Sequence, residues 1–447
     1  MVIQQTPYQG LWNCFRLVTS LSYNDLLTQY SSIGFWKDNA LSFTYEPTLG
    51  TQNNNNYIQA NSSVSGASQY EQNNGNDGFL KRQMAFAYNN TTASPYTSQL
   101  LYSQTSLNQV YKSQIFQSVV NGTSLLWQQQ IVGTVYLKHL HSFFDKVCLL
   151  KGVLMRLTLN LNQSSVSFTV SPSSSGGGNT YSNISVTSPL GGVSPLMIAN
   201  GGANAAGGSL AAGNYTLSLA VGQFCLNTNQ KSLAQNGFVS SIQLIVPAYT
   251  FAPMFETAYL SSPIKKIIYS DIYQYSVPSI GSNQVFNQLV TNGIANIKSI
   301  LLIPFFVQAG TSFTGSPILS PLDTAGGGTS SPYCLLGNFQ VQISGANMLY
   351  NQYQYTYNEW LQQLYGCNSV NGGQTDGISS GLISQLDFET MYNYYYVDCS
   401  RMLSIEEMVP KSVQILGQNL SSNPITLFIF VNYGVEISIE ILTGARI

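Results

Sequence analysis

The sequence predicts an all-β fold: two tandem antiparallel jelly-roll β-sandwiches, a double jelly roll, with long loops and a few short helices. Three observations predict it. Short runs of β-branched and aromatic residues recur between turn-forming clusters along the whole chain. Helical spacing is confined to two brief stretches, which leaves antiparallel sandwiches as the economical architecture. At 447 residues the chain is too long for one ordinary small domain and suits two, each burying a core. The expected division gives residues 1–252 to a first jelly roll with long Gly/Ser/Asn-rich loops and 253–447 to a second.

In the first half, residues 1–50 alternate short apolar pieces, such as Leu11-Trp12 and Phe15, with turns. From Thr48 to Asp77 the composition collapses to Asn, Gln, Ser and Gly, which predicts a loop. Strand-like sequence resumes at 79–89 and again at 128–137. Leu137, Leu140 and Phe144 then share one side of a short helix over 137–146. Val153, Met155, Leu157, Leu159 and Leu161 alternate with polar residues as a one-sided strand. No charged residue lies between Arg156 and Lys231, and 173–213 carries Gly clusters, so this stretch reads as an exposed excursion. Strands are predicted at 214–220 and 239–247, and a connector at 253–263.

The second half repeats the plan. A tyrosine-rich strand over 263–277 is followed by a loop, a strand over 298–307 and a second excursion over 308–331. Residues 339–344 read as a strand and 356–366 as a helix, with Tyr357, Trp360, Leu361 and Leu364 on one side, Thr356 as N-cap and Gly366 as stop. Segments 381–402 and 411–417 complete the half. The chain finishes on Ile425–Val431, apolar enough for burial on both faces. A turn at Asn432-Tyr433-Gly434 is followed by one-sided alternation through Val435, Ile437, Ile439 and Ile441.

Composition narrows the function. Charged residues are 8% of the chain against about a quarter in an average soluble protein, and 44% are hydrophobic, so amides, hydroxyls and 29 tyrosines must dress the surface. Such a surface opposes self-association weakly. With 16 basic and 18 acidic side chains there is no basic stripe for phosphates, which disfavours direct nucleic-acid binding and predicts no sequence-specific contact. The longest apolar runs, 244–255 and 300–307, are short and proline-interrupted, so no transmembrane segment is expected. Residues 1–15 have neither basic leader nor unbroken apolar stretch, so synthesis and assembly inside a cell are expected. The six dispersed cysteines read as reduced, buried thiols. Asn-x-Ser/Thr triplets at Asn90, Asn121, Asn214 and Asn419 carry no glycosylation meaning without a secretion signal.

Candidate chemistry is thin. His139 and His141, the only histidines, could share a strand face as metal ligands, but no third ligand accompanies them, so no metal is expected. Asp387 and Glu389 on one strand would stand about 7 Å apart on one face, within range of a glycosidase pair. Glu436 and Glu440 form a wider version. Solvated strand faces carry such carboxylates routinely. His139 and His141 are the only histidines to serve a hydrolase triad and no phosphate-cradling glycine loop is present, so no enzyme activity and no cofactor are expected. Asp398 and Arg401 could pair locally or across a subunit contact.

Segments 344–367, 371–385, 394–402 and 429–445, with Ser344-GANMLYNQYQYTYNEWLQQLYG-Cys367 and Tyr394-YYVDCSR-Met402 the most telling, resemble the carboxy-terminal half of double jelly-roll major capsid proteins. The nearest kind is that of Polinton-like viruses, adintoviruses and virophages, in the lineage of adenovirus hexon. Segments 144–163 and 245–261 look like that family's first-barrel helix-to-strand passage and its entry to the second barrel. The resemblance implies a virion protein. Three chains would form a pseudo-hexameric trimer tiling an icosahedral shell beside penton and minor capsid proteins, with no catalysis. The rival from another class is a glycan-binding β-sandwich spike or lectin using exposed aromatic rings. A jelly-roll glycoside hydrolase is the third.

Overall fold

A computed structural model describes residues 8–30, 37, 116–121, 124–129, 135–151, 153, 156–157, 165–171, 183–187, 213–218, 244–306, 334–350, 355–370, 380–390, 392, 394–400, 409–421, 424–441, 443 and 446. The expected loop at 48–77, the strand at 79–89 and the excursion at 308–331 lie outside them.

The described chain opens on helix α1 (Gln9–Ser20) and a helical turn α2 (Tyr23–Asp25) that runs into a π-helical turn, Leu26–Tyr30. Strands β1 (Phe116–Asn121) and β2 (Ser124–Gln129) form a hairpin. Helical turns α3 (Leu137–Leu140) and α4 (Phe143–Lys146) follow, so the expected single helix is broken at His141-Ser142. Strands β3 (Ser165–Ser171), β4 (Asn183–Thr187) and β5 (Gly213–Ser218) make a sheet in the order β4-β3-β5. The uncharged excursion thus contains a strand of its own. Helix α5 (Pro253–Leu260), with proline in its first turn, occupies the expected connector.

The remaining strands are β6 (Ile264–Ile280), β7 (Val285–Ile294), β8 (Ile297–Phe306), β9 (Leu336–Ile343) and β10 (Ala346–Asn347). Helices α6 (Tyr357–Val370) and α7 (Gln385–Thr390) separate them from β11 (Tyr395–Asp398), β12 (Lys411–Asn419) and β13 (Ile425–Glu440). Two four-stranded antiparallel sheets result, ordered β11-β8-β13-β6 and β10-β9-β12-β7. First strand pairs with last, β6 with β13, then β7 with β12, β8 with β11 and β9 with β10. This is a long hairpin wound into two facing sheets, the strand order of a jelly roll.

Local sequence accounts for the winding. Ser344 and Gly345 both take left-handed φ, 49° and 84°, and close β9 onto β10 as a two-residue hairpin turn. Between the sheets one core is shared. Phe339, Val341 and Ile343 of β9 and Val413 and Ile415 of β12 meet Ile300, Leu302, Leu427, Ile429 and Val431 from the other sheet, all essentially without exposure. Full burial of such side chains contributes about 1.5–3 kcal/mol each.

Five expectations are corrected. No turn interrupts Asn432-Tyr433-Gly434; β13 runs straight through, paired to β6 from Ile425 to Glu440. Gly434 makes room for the Asn296 side chain, whose Nδ2 would stand 2.3 Å from an added Cβ and would have to shift. Helix α6 does not stop at Gly366 but continues to Val370, and the stretch after β6 read as a loop holds β7. Strand pairing is absent at Val153, Arg156 and Leu157 of the expected 153–161 strand, and at 244–247 of the expected 239–247 strand; the rest of both lies outside the described residues.

Helix α1 was not foreseen. Trp12, Phe15 and Val18 line one stripe of it and join the core of the second half. Phe15 stacks on Tyr396 at 5.3 Å and meets Tyr394 edge-on at 5.1 Å, while Tyr8 packs edge-on against Phe428 of β13. Leu382 N–H donates to Val18 O at 2.7 Å. Gly381, at φ 64°, lies so close that a Cβ would fall 2.4 Å from the Thr19 backbone.

Candidate assembly surface

The sequence-predicted polar sites separate in space. His141 is buried at the junction of α3 and α4, and Phe143 N–H donates to its Nδ1 at 3.1 Å. The neutral ring therefore carries its proton on Nε2, 3.4 Å from Asp271 Oδ1 on β6. Burial alone would raise the Asp271 carboxyl, but the hydrogen bonds from His141 and the Ile272 N–H outweigh it and hold it below the usual range. Opposite it on β13, burial and the Asp271 carboxylate push the Tyr433 phenol up to about 12. His139 lies on α3; burial first, then the charges of Lys138 and Arg16, push it down to about 4. Among the described residues no three His, Cys, Asp or Glu side chains converge on one point.

Asp387 and Glu389 do not share a strand face, because they sit on α7, where residues two apart point to different sides. Asp387 is buried. It closes a capping box with Ser384, accepting from Ser384 N–H at 3.1 Å and Oγ at 2.8 Å, and it accepts from Lys37 Nζ at 2.7 Å. Burial raises its carboxyl, but Lys37 and Ser384 more than reverse that and leave it lowered. Glu389 is exposed and accepts from Gln385 Nε2 at 2.8 Å. Glu436 accepts from Lys266 at 2.7 Å, and Glu440 from Thr443 Oγ1 at 2.6 Å. Asp398 accepts from Ser400 N–H and Oγ; Arg401 lies outside the described residues.

Cys334 and Cys399 are buried thiols, the latter pushed well up by burial and by Asp398. Cys14 is half-buried and Cys148 exposed, and the side chains of Cys225 and Cys367 lie outside the described residues. Asn419 is wholly buried and donates to Ile280 O and Gly281 O, which gives the Asn419 triplet a packing role.

Sequence reasoning missed a clamp. Gln9 Nε2 and Asn13 Nδ2 donate to Leu140 O at 3.2 and 3.0 Å, and Arg16 donates to Lys138 O. These positions form the stripe of α1 opposite Phe15, and they satisfy the carbonyl end of α3. The helix thus joins residues 137–146 to the second sheet system. The signal was present in the three-residue spacing of Trp12, Phe15 and Val18.

The surface divides sharply. Sheet β11-β8-β13-β6 is covered outside by α1 and by aromatic side chains of 388–394. Sheet β10-β9-β12-β7 leaves its outer face exposed or half-exposed at every outward position but Gln340, which is buried and donates to Leu349 O. Its outward positions 285, 287 and 289 on β7, 412, 414, 416 and 418 on β12, and 338, 340 and 342 on β9 hold no charged residue. Its amides pair with one another, as in Gln414 Nε2 to Asn287 Oδ1 at 2.6 Å, and Val285 and Leu289 stand 70% and 51% exposed. A second apolar feature is the strip from Leu244 to Phe255, where Ile245 is 86% and Met254 80% exposed.

No protein-family model matches the chain, and no curated protein does. Among solved structures it is similar to the cryo-EM structure of the Sputnik virophage, at 10% identity over 47% of this chain and 40% of that one, with a TM-score of 0.24. It is also similar to the capsid of PBCV-1 virus, a quasi-atomic model, at 8% identity over 44% of this chain and 54% of that one, with a TM-score of 0.25. The match therefore spans less than two thirds of either chain. Likenesses at such TM-scores carry no argument about function.

Proposed function

We propose that this chain is a viral major capsid protein, a self-assembling tile without enzyme activity, in which a second jelly roll precedes the one described. One observation carries the reading: residues 264–440 wind as a complete eight-stranded jelly roll, which leaves more than half of the chain for a second unit of like size. Scarce charge, the open uncharged sheet and the sequence resemblance of residues 344–445 point the same way. Three chains with two barrels each would give six near-equivalent corners, a tile for a hexagonal lattice, and closed cyclic symmetry is the expected form of such an assembly. Penton and minor capsid proteins would complete an icosahedral shell in the virion.

Light scattering on purified protein tests this. The expected mass is three times the 48.8 kDa chain. A clean monomer at micromolar concentration overturns the reading, and glycan-array binding by such a monomer would favour the lectin-like rival.

A further inference from the structure

We infer that the strip Leu244–Thr250 of one chain adds as a strand to the free edge of β7 in a neighbouring copy. The inference rests on the assembly reading above and names its contact.

The donor is a strand without a sheet. Ile245 and Val246 are β-formers, and the whole segment is solvent-exposed and outside any helix or strand. None of 244–250 pairs with a described strand or makes a hydrogen bond to a described residue. Pro247 would be disallowed in a central strand, but a strand added at an edge keeps one side unpaired and tolerates it.

Among the described residues the acceptor is an edge without protection. Natural edge strands are blunted with charge, proline or a covering element. Edge strand β6 has these: Lys265, Lys266, Asp271 and Pro278, with Phe143 of α4 packed on Ile267 and Tyr269. Edge strand β7 has ten residues, no charge and no proline.

Reach makes the contact intermolecular. Helix α5 ties the strip to the Ile264 end of β6, where Lys265 Nζ donates to Tyr259 O at 3.2 Å. Strand β6 rises about 53 Å from there to Ile280, and β7 returns only about 30 Å of that distance. The strip therefore starts beyond the end of its own β7. Donor and acceptor are different surfaces, so the contact is head-to-tail, the kind that forms a ring where its rotation closes. Main-chain hydrogen bonds would supply affinity and the exposed apolar side chains specificity.

The test co-expresses two full-length chains, each also carrying Cys148→Ser, one with Val246→Cys and the other with Asn287→Cys. Oxidised co-assemblies are run on a non-reducing gel. An interchain band at twice the chain mass, absent when either chain is expressed alone, is the expected result. No such band in particles that scatter as trimers overturns this inference and leaves the assembly reading standing; an unmodified chain that is monomeric overturns both. As a second measurement, Leu289→Lys, a change on an exposed face, is expected to weaken trimer formation at least tenfold with near-ultraviolet circular dichroism unchanged. Retained trimer affinity would count against the contact.

Discussion

The two sheets of the wound hairpin share a core but differ in what lies behind them. Strands β11 and β8 and residues 425–432 of β13 are buried on both faces, one by the facing sheet and one by α1 and its aromatic neighbours, whereas β10-β9-β12-β7 keeps a face of amides and a few aliphatic groups toward solvent. The contrast shows in sequence as a change of period. Strand β13 reads as nearly continuous apolar residues from Ile425 to Val431, while β12 alternates strictly between buried and half-exposed positions. A bare sheet face without charge opposes association weakly, and in the proposed assembly another copy meets it.

The largest effect that would sharpen this comparison is Phe15→Ala. Removing a fully buried ring stacked on Tyr396 should cost about 3–5 kcal/mol in denaturant unfolding. A cost below about 1 kcal/mol would mean that α1 is not part of the covered sheet's core. Asp387→Ala comes next. It leaves the half-buried Lys37 without its carboxylate, and breaking a buried pair costs about 3–5 kcal/mol, read toward the lower end because Lys37 keeps some access to water.

Acid should act in the same direction on both groups. The folded state holds His139 at about 4 against an ordinary 6.5, so its contribution is complete above pH 6.5 and is lost as pH falls toward 4. Asp387 is also lowered, so its contribution is present above the ordinary carboxylate pKa and disappears as pH falls below it. Thermal unfolding followed from pH 7 to pH 3 should show stability falling in that order. His139→Gln should flatten the upper part of the curve. The smallest effect belongs to the bare sheet: Gln414→Ala should change unfolding free energy by no more than about 0.5 kcal/mol, and a change above about 2 kcal/mol would show that face to be packed.

Legibility in the sequence followed the same division. Strands β6, β8, β9 and β13 were readable because β-branched and aromatic residues fill them, and the N-terminus of α6 because Thr356 and Glu359 form a reciprocal cap, Thr356 N–H to Glu359 Oε2 at 2.9 Å. Strand β7 was hidden by Gln288, an amide between Phe286 and Val290 on its inward face that breaks the alternation. Gly434 imitated a turn because a glycine set beside a close side-chain neighbour looks the same in sequence as one required by backbone conformation. Asp387 imitated half of a carboxylate pair, since its partner Lys37 lies 350 residues away and nothing local announces it. The spacing of Trp12, Phe15 and Val18 marks helix α1, but the partners of Gln9, Asn13 and Arg16 were hidden because they are main-chain carbonyls.

Electron cryo-microscopy of the purified full-length protein tests the central claim most directly. The account predicts a particle with threefold symmetry and six barrel-shaped densities, two per chain. A single sandwich per chain, or particles holding one chain each, would contradict it.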